Sequence, residues 1–130
     1  MILVDTHVVV WLAFDQDQIS RKARTAIDDA RKNADGLAIS DITLLELATL
    51  ASKGRIHLNI SLESFLQEVE SRFVVLPITG RACARAIGFP ATYPKDPADR
   101  IIGATALVEG LSLLTADREI RRSRAVRTIW

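Results

Sequence analysis

The sequence predicts an α/β fold in which helices cover both faces of a mainly parallel, four- to five-stranded sheet, a three-layer α/β/α arrangement. Short apolar runs of the kind found in strands buried on both faces recur along the chain, beginning with Ile2–Val4 and Leu37–Ile39. Longer segments with helical periodicity or helix-capping residues separate these runs. This alternation favours parallel strands joined by helical crossovers.

The composition is that of an ordinary globular domain. The chain has 130 residues, of which 48% are hydrophobic and 25% charged, and its formal net charge is +1. We therefore expect one domain spanning residues 1–130. The single cysteine, Cys83, excludes an internal disulfide, fits a reducing compartment and is expected to be buried among small residues. Because the sequence contains neither a signal peptide nor an apolar run of about 20 residues, the expected location is the cytoplasm.

The segment after the first strand, Thr6–Phe14, admits two interpretations. Its valines, Val8 to Val10, have the propensity of a strand. A second strand would need a turn at Thr6-His7, where neither residue is a turn former. We therefore prefer a strand, a short corner and a helix, with His7 as a partly exposed residue at the start of that helix.

Caps, glycines and prolines delimit the remaining elements. The predicted helices span Ser20–Asn33, Ser40–Gly54, Ser61–Arg72, Thr79–Gly88, Pro97–Gly110 and Arg118–Arg124. The remaining predicted strands span Phe73–Ile78, Leu111–Thr115 and Ala125–Ile129. We expect Ile56–Ile60 to be a loop or a marginal edge strand, and Phe89–Pro97, with its three prolines, to be a loop.

Asp5 is the acid that the apolar pattern singles out. It lies between the strand Ile2–Val4 and a second apolar run. An ionised carboxylate buried without a partner costs several kcal/mol or takes up a proton. Asp5 is therefore either paired, or placed where a buried strand ends at the mouth of a crevice, which is where open α/β sheets bind ligands. A helix-capping role is the alternative, and the two roles are compatible.

Three further acids have comparable positions. Asp117 follows a predicted strand, Asp99 lies in the first turn of a predicted helix, and Glu46 lies on an apolar helical stripe. Strand C-ends and the N-ends of the following helices meet at one edge of a parallel sheet, so we expect all three to converge with Asp5. Asp96 is expected to be the N-cap of the helix that carries Asp99. For Glu46 the alternative is a side chain that reaches solvent from a half-exposed helix.

Four converging carboxylates require neutralisation, because each like-charged pair about 4 Å apart costs roughly 4 kcal/mol at an effective dielectric of 20. Hard oxygen ligands without clustered His or Cys indicate Mg²⁺ or Mn²⁺ rather than zinc. Such ions, held at a sheet edge, activate water for attack on a phosphodiester. The five arginines between Arg118 and Arg127 would supply positive charge for a nucleic-acid backbone, and Arg100 would contact the phosphate or orient the acids.

Four segments, ILVDTHVVVWL, SDITLLELATL, DPADRIIGATAL and LLTADREI, resemble the motifs of PIN-domain ribonucleases, in particular VapC-type toxins of toxin–antitoxin pairs. The resemblance covers nearly the whole chain and implies a metal-dependent endoribonuclease. It implies a metal site formed by Asp5, Glu46, Asp99 and Asp117. Thr115 matches a hydroxyl often found beside the last acid, and Thr6 is a further candidate to contact the substrate or the ligands. The resemblance also implies a homodimer, inhibition by a cognate VapB-type antitoxin, and a helix at Thr6–Phe14.

Other functional classes fit the sequence less well. A PIN-like module that binds RNA or protein without cutting would be expected to lack one of the four acids, and none is missing. A haloacid-dehalogenase-type phosphatase should have an aspartate at position 7, where this chain has His7. A receiver domain should have a lysine at the end of a late strand, and Leu114-Thr115-Ala116 contains none. A metal-dependent DNA nuclease would share the site chemistry, but the small size of the chain favours RNA.

Overall fold

The computed structural model describes residues 1–130, which form five β-strands and seven α-helices. The strands are β1 (Ile2–Val4), β2 (Leu37–Ser40), β3 (Val74–Leu76), β4 (Leu113–Leu114) and β5 (Thr128–Ile129). The helices are α1 (Thr6–Phe14), α2 (Arg21–Lys32), α3 (Asp41–Ser52), α4 (Leu62–Arg72), α5 (Gly80–Ile87), α6 (Pro97–Glu109) and α7 (Arg118–Ser123). None of the helices combines the length and the apolar character that crossing a lipid bilayer requires.

The five strands form one sheet in the order β3-β2-β1-β4-β5, and every ladder in it is parallel. Leu3 of β1 is in register with Ala38 on one side and with Leu113 on the other. The prediction of a parallel sheet is therefore confirmed. Because all strands run the same way, the residues that follow them meet at a single edge, here called the C-terminal edge.

Both faces of the sheet are buried under helices. Successive strand residues point to opposite sides, so neighbouring residues of one strand pack in different clusters. Val4 packs in a hydrophobic cluster covered by α1 to α4, whereas Leu3 packs in a second cluster covered by α6 and α7. The same alternation separates Ile39 from Ala38. This arrangement confirms the three-layer α/β/α prediction.

Local capping chemistry fixes where the helices begin. Asp5 ends β1 and also caps α1, because its Oδ1 accepts a hydrogen bond of 2.9 Å from the backbone N–H of Thr6. The helical interpretation of Thr6–Phe14 is thereby confirmed. Asp96 caps α6 by accepting 2.8 Å from the N–H of Ala98, as the sequence predicts. The segment Ile56–Ile60 forms no strand and is a loop.

Two details of the sequence prediction are wrong. The late strands are shorter than expected: Leu111, for example, does not enter β4, because its N–H closes the end of α6 on the carbonyl of Ala106 at 2.8 Å. Cys83 is exposed rather than buried. The small residues of α5 that face the core are Ala82 and Ala86, four positions apart, and Cys83 follows the first of them on a different side of the helix.

Candidate active site

Asp5 and Asp117 lie at the C-terminal edge, each just beyond a strand. Asp5 is buried, with 3% of its surface exposed. Asp117 caps α7, with its Oδ1 accepting 3.0 Å from the N–H of Ile120. A carboxylate at a helix N-terminus is stabilised by the unpaired N–H groups and the helix dipole. Both acids are thus oriented by the first turn of the helix that follows them.

Glu46 and Asp99 approach the same edge from the helices α3 and α6. Glu46 lies in the second turn of α3 and is half-buried, with its Oε1 accepting a hydrogen bond of 2.5 Å from the hydroxyl of Thr6. This contact ties α3 to the corner after β1, so Glu46 does not simply extend into solvent. Asp99 lies in the first turn of α6, as the sequence predicts.

The acids interact electrostatically across this edge. Burial is the largest cause that raises the pKa of Asp99, and the charges of neighbouring carboxylates raise it further, to about 7. These neighbours are Asp5, Asp96, Glu46 and Asp117. Asp99 is therefore within electrostatic range of all three of the other predicted ligands, Asp5, Glu46 and Asp117.

The pKa of Glu46 is also raised. Burial is the first cause, and the negative charges of Asp5 and Asp96 act in the same direction. The hydrogen bond from Thr6 opposes them by stabilising the ionised form. Two carboxyls at this edge thus have a raised pKa for the same two reasons, loss of solvent and negative neighbours.

Buried threonine hydroxyls orient the acids. The hydroxyl of Thr43 lies 3.0 Å from that of Thr6, which in turn donates to Glu46. Thr115 donates 2.8 Å to Oδ2 of Asp5 and accepts 3.1 Å from the N–H of Asp117. Because these threonines are buried, their hydrogen bonds to the carboxylates are shielded from competition by water. Thr6 and Thr115 therefore lie beside the acids, as expected from the sequence.

His7 connects the two strand ends that carry Asp5 and Asp117. Its Nε2 accepts 3.0 Å from the N–H of Ala116, and its Nδ1 lies 3.5 Å from Oδ2 of Asp5. With Nε2 as acceptor, a neutral ring carries its proton on Nδ1, facing Asp5. The ring also packs edge-on against Trp11, with 4.9 Å between centroids. His7 is partly exposed at the start of α1, as expected, and in addition holds the loop before Asp117.

Arg100 binds backbone carbonyls of the neighbouring loop and helix rather than the acids. Its guanidinium donates to the carbonyls of Pro94 at 2.9 Å, Ala86 at 3.0 Å and Tyr93 at 3.5 Å. These bonds fasten the proline-rich loop and α5 to α6. Arg100 makes no hydrogen bond or ion pair with a carboxylate, so it does not orient the acids directly.

Tyr93 is hydrogen-bonded to the backbone of the first turn of α6. It is almost fully buried, and its hydroxyl donates 2.8 Å to the backbone carbonyl of Asp99. Its ring reaches that carbonyl by lying against Gly103, where a Cβ atom would overlap the tyrosine hydroxyl. Burial, followed by the charges of nearby acids, raises the pKa of Tyr93, so the hydroxyl stays protonated and able to donate. Tyr93 and Gly103 together position the backbone of Asp99 at the C-terminal edge.

The donor set fits a hard divalent cation. Glu46 retains Oε2, and Asp117 retains Oδ2, without a hydrogen bond from the protein. Oxygen donors of this kind, carrying uncompensated negative charge, are those that Mg²⁺ and Mn²⁺ prefer. No three acidic, histidine or cysteine side chains are close enough, as they stand, to hold an ion jointly.

A groove of about 560 Å³ opens beside the acids. Thr6, Glu46 and Asp96 line one part of it, and Lys53 and Arg55 line another. Lys53 and Arg55 are exposed and form no ion pair with any carboxylate. The groove thus offers positive charge within the same opening as the acidic edge.

A family model described as "PIN domain" matches residues 2–125. The chain belongs to the PIN domain family. Membership implies a requirement for a divalent metal ion, in agreement with the oxygen-rich donor set at the C-terminal edge.

Similar proteins carry the same fold over their whole length. Ribonuclease VapC22 of Mycobacterium tuberculosis is 39% identical to this PIN domain, with 99% of this chain and 98% of the relative covered. DNA-bound VapBC from Salmonella typhimurium has a TM-score of 0.71 at 26% identity, covering 98% of this chain and 97% of that one. VapBC2 from Rickettsia felis, bound to a DNA fragment of its promoter, has a TM-score of 0.74 at 19% identity, with 98% and 97% covered.

Sequence reasoning missed three residues that support this PIN domain's acidic edge. Thr43 was detectable, because it precedes Glu46 by three positions and so shares its helix face. The link made by His7 and the support given by Tyr93 each join segments distant in sequence. No local sequence pattern around either residue predicts its contact.

Proposed function

We propose that this PIN domain, residues 1–130, is a metal-dependent endoribonuclease and the toxin of a toxin–antitoxin pair. The observation that carries the proposal is the 39% identity to a ribonuclease over nearly the whole of both chains. The acidic edge supports it independently, since carboxylates with raised pKa values are typical of sites that bind metal and hydrolyse phosphodiesters.

We assign Asp5, Glu46, Asp99 and Asp117 as the ligands of Mg²⁺ or Mn²⁺. A bound ion would lower the pKa of a coordinated water and stabilise the charge on the phosphate oxygens during hydrolysis. Asp5 is the most rigidly held of the four, because both of its oxygens accept hydrogen bonds and its side chain is buried. It would therefore define the position around which the other carboxylates adjust.

The neighbouring residues have positioning roles in this proposal. Thr115 and Thr6 fix the orientations of Asp5 and Glu46 through their hydroxyls. The N–H of Ile120 fixes Asp117 by donating to one of its oxygens, which leaves the other available to a ligand. Preorganised ligands reduce the reorganisation required when the metal and substrate bind.

The groove beside the acids would hold the RNA strand. Lys53 and Arg55 lie in it without a carboxylate partner, so a phosphate can neutralise them without displacing an existing ion pair. Asp96 is exposed in the same groove, where its Oδ1 is engaged by the N–H of Ala98 as the cap of α6. We propose that backbone phosphates flanking the scissile bond contact Lys53 and Arg55.

The proposed partners follow from the same comparisons. The solved structures similar to this chain include toxin–antitoxin complexes, so we propose a cognate VapB-type antitoxin. Leu45 is 63% exposed and Phe14 46% exposed, and such apolar surface would be covered in a homodimer or by the antitoxin. A cytoplasmic location fits an RNA substrate and a single exposed thiol.

Cleavage of RNA by the purified protein tests the proposal. Wild-type protein with Mg²⁺ or Mn²⁺ should cleave RNA at defined sites, and excess EDTA should stop cleavage. Asp5→Asn should remove activity while retaining the fold, whereas Asp28→Asn, which changes the same group on an exposed face of α2, should retain activity. Cleavage undiminished in EDTA would refute the metal mechanism. Cleavage of DNA but not RNA would assign a DNA nuclease, and binding without cleavage a recognition module.

A further inference from the structure

A second basic pocket lies away from the acidic edge. Its volume is about 380 Å³, and its lining includes Arg121, Arg124 and Arg127 but no acidic residue. The remainder is the C-terminal end of α6 and the residues around β5. Three guanidinium groups around one concavity, without a carboxylate to neutralise them, form a strongly cationic surface.

The topology places this pocket at the opposite edge of the sheet from the acids. Leu111 and Arg127, which border the pocket, precede β4 and β5, whereas Asp117 comes after β4. The short helix α7 connects the two edges, beginning at Asp117 and ending beside Arg124. Its six residues rise about 9 Å along the helix axis. The pocket is therefore only a few nucleotides away from the proposed cleavage site, measured along an extended strand.

The arginines of the pocket are available to bind a ligand. All three are exposed, and no arginine or lysine side chain in the protein forms an ion pair with a carboxylate. Arg127 donates one N–H to the carbonyl of Gly110 at 3.0 Å, which orients its guanidinium. A guanidinium carries five N–H donors, so several remain for a phosphate.

Arg124 is the residue of this cluster at which α7 ends. Arg124 ends α7 with φ of 54°, in the left-handed region that glycine adopts without strain. A residue with a Cβ atom pays roughly 1 kcal/mol or more there. The N–H of Ala125 donates 3.2 Å to the hydroxyl of Ser123 across this turn. The Arg124 side chain makes no hydrogen bond or ion pair within the protein, so its guanidinium is available to a ligand of the pocket that it lines.

We propose that Arg121, Arg124 and Arg127 form a phosphate-binding site that holds the RNA backbone outside the cleavage site. This inference rests on the proposed ribonuclease function and adds a second contact region to it. A strand long enough to span α7 would contact both the groove at the acidic edge and the arginine pocket. Arg118, exposed beside Asp117, lies on the path between them. RNAs too short to span α7 would contact the acidic edge alone.

The test uses RNA binding, so that it does not depend on cleavage. The full-length Asp5→Asn protein, with Arg121, Arg124 and Arg127 all replaced by Gln, is compared with Asp5→Asn alone. The matched control replaces three exposed cations of α2 by Gln, namely Arg21, Lys22 and Lys32. Dissociation constants for a long single-stranded RNA and for a dinucleotide are measured over a series of salt concentrations.

We expect the pocket variant to bind the long RNA at least tenfold more weakly. The magnitude of the slope of log K against log salt concentration should fall by roughly two, because each of the three lost phosphate contacts contributes about 0.7. The α2 control should change the slope by much less, and dinucleotide binding should be unchanged in both. Equal effects of the two triple variants, or no effect of the pocket variant, would overturn the inference. Loss of antitoxin binding with unaltered RNA binding would overturn it in favour of a protein partner.

Folding and cleavage are measured in parallel. Circular dichroism and thermal unfolding should be unaltered in the pocket variant, and replacement of the same arginines by Lys, which retains the charge, should restore most of the binding. On the wild-type background the pocket substitutions should raise KM for long RNA and leave kcat unchanged. A wild-type protein that cuts no RNA would contradict the proposed function, whereas the binding series alone decides the pocket.

Discussion

The hydroxyl of Thr115 donates a hydrogen bond of 2.8 Å to Oδ2 of Asp5, joining residues 110 positions apart in the sequence. The same hydroxyl accepts from the N–H of Asp117, so one buried oxygen fixes two of the acids. The contact exists because β1 and β4 are neighbours in the sheet and end at the same edge.

Thr115→Val should weaken metal-dependent activity, because valine keeps the shape of threonine but leaves Asp5 and the Asp117 N–H without their shared partner. We expect a loss of 10- to 100-fold in activity or metal affinity, the usual range for residues that orient ligands. The free energy of unfolding should fall by about 1–3 kcal/mol. Cleavage rates measured over a Mg²⁺ titration check this, with Thr115→Ser, which keeps the hydroxyl, as the control. Equal activity in the Val and Ser variants would show that the hydroxyl is dispensable.

Gly103→Ala should destabilise the protein, because the new Cβ atom would overlap the hydroxyl of Tyr93, which is buried and bonded to Asp99. Overpacking of this kind costs about 1–3 kcal/mol. Denaturant unfolding gives the free energy directly. Gly80→Ala is the matched control, since nothing lies near a Cβ atom there and its backbone is not left-handed. A Gly103→Ala variant as stable as the wild type would mean that Tyr93 moves aside at little cost.

Arg100→Gln should reduce stability rather than RNA affinity. The substitution removes the donors that bind the carbonyls of Pro94, Ala86 and Tyr93. Loss of hydrogen bonds from a charged donor costs about 1.5–3 kcal/mol each when the acceptors remain buried, and less where water replaces the donor. Thermal unfolding and RNA binding are measured on the same preparation. A weaker affinity for RNA with unchanged stability would restore the phosphate-contact interpretation.

The metal-free protein should lose stability as pH rises from about 4 to 7. The folded-state pKa of Asp99, about 7, lies above its ordinary value of 3.8. In this pH interval the unfolded chain releases the proton and the folded chain retains it, so the free energy of unfolding falls until both states are ionised. Thermal unfolding in EDTA measures the trend, and Asp99→Asn should flatten it. Mg²⁺ should raise stability most at pH 7 and above, and a trend of the opposite sign would contradict the clustered-acid geometry.

The sequence predicted the elements of the fold because their signals are local. Serine and aspartate caps, apolar runs and glycine ends each act within a few residues, and they placed α2, α4 and α6 correctly. The late strands were predicted to be too long, because the length of a strand depends on where it can pair with its neighbour. Thus β4 keeps only two residues, where the end of α6 and the register with β1 allow them.

The candidate site was predictable to the extent that it follows from topology. Acids placed after strands and at helix starts lie at one edge of a parallel sheet, and Asp5, Glu46 and Asp117 are near enough to Asp99 for their charges to raise its pKa. What local patterns could not supply was the set of long-range contacts. Arg100 resembled a phosphate ligand by its position beside Asp99, yet its direction is set by carbonyls of a loop that only the fold brings near.

We propose that four carboxylates distant in sequence form one site for a divalent cation. A crystal of the protein soaked in Mn²⁺, with anomalous diffraction recorded, tests it most directly. We expect an anomalous peak at the C-terminal edge of the sheet, about 2.0–2.3 Å from carboxylate oxygens, with Asp5 among the ligands together with at least one of Glu46, Asp99 and Asp117. A saturating soak that leaves this edge without a peak, or that places the ion on other residues, would contradict it.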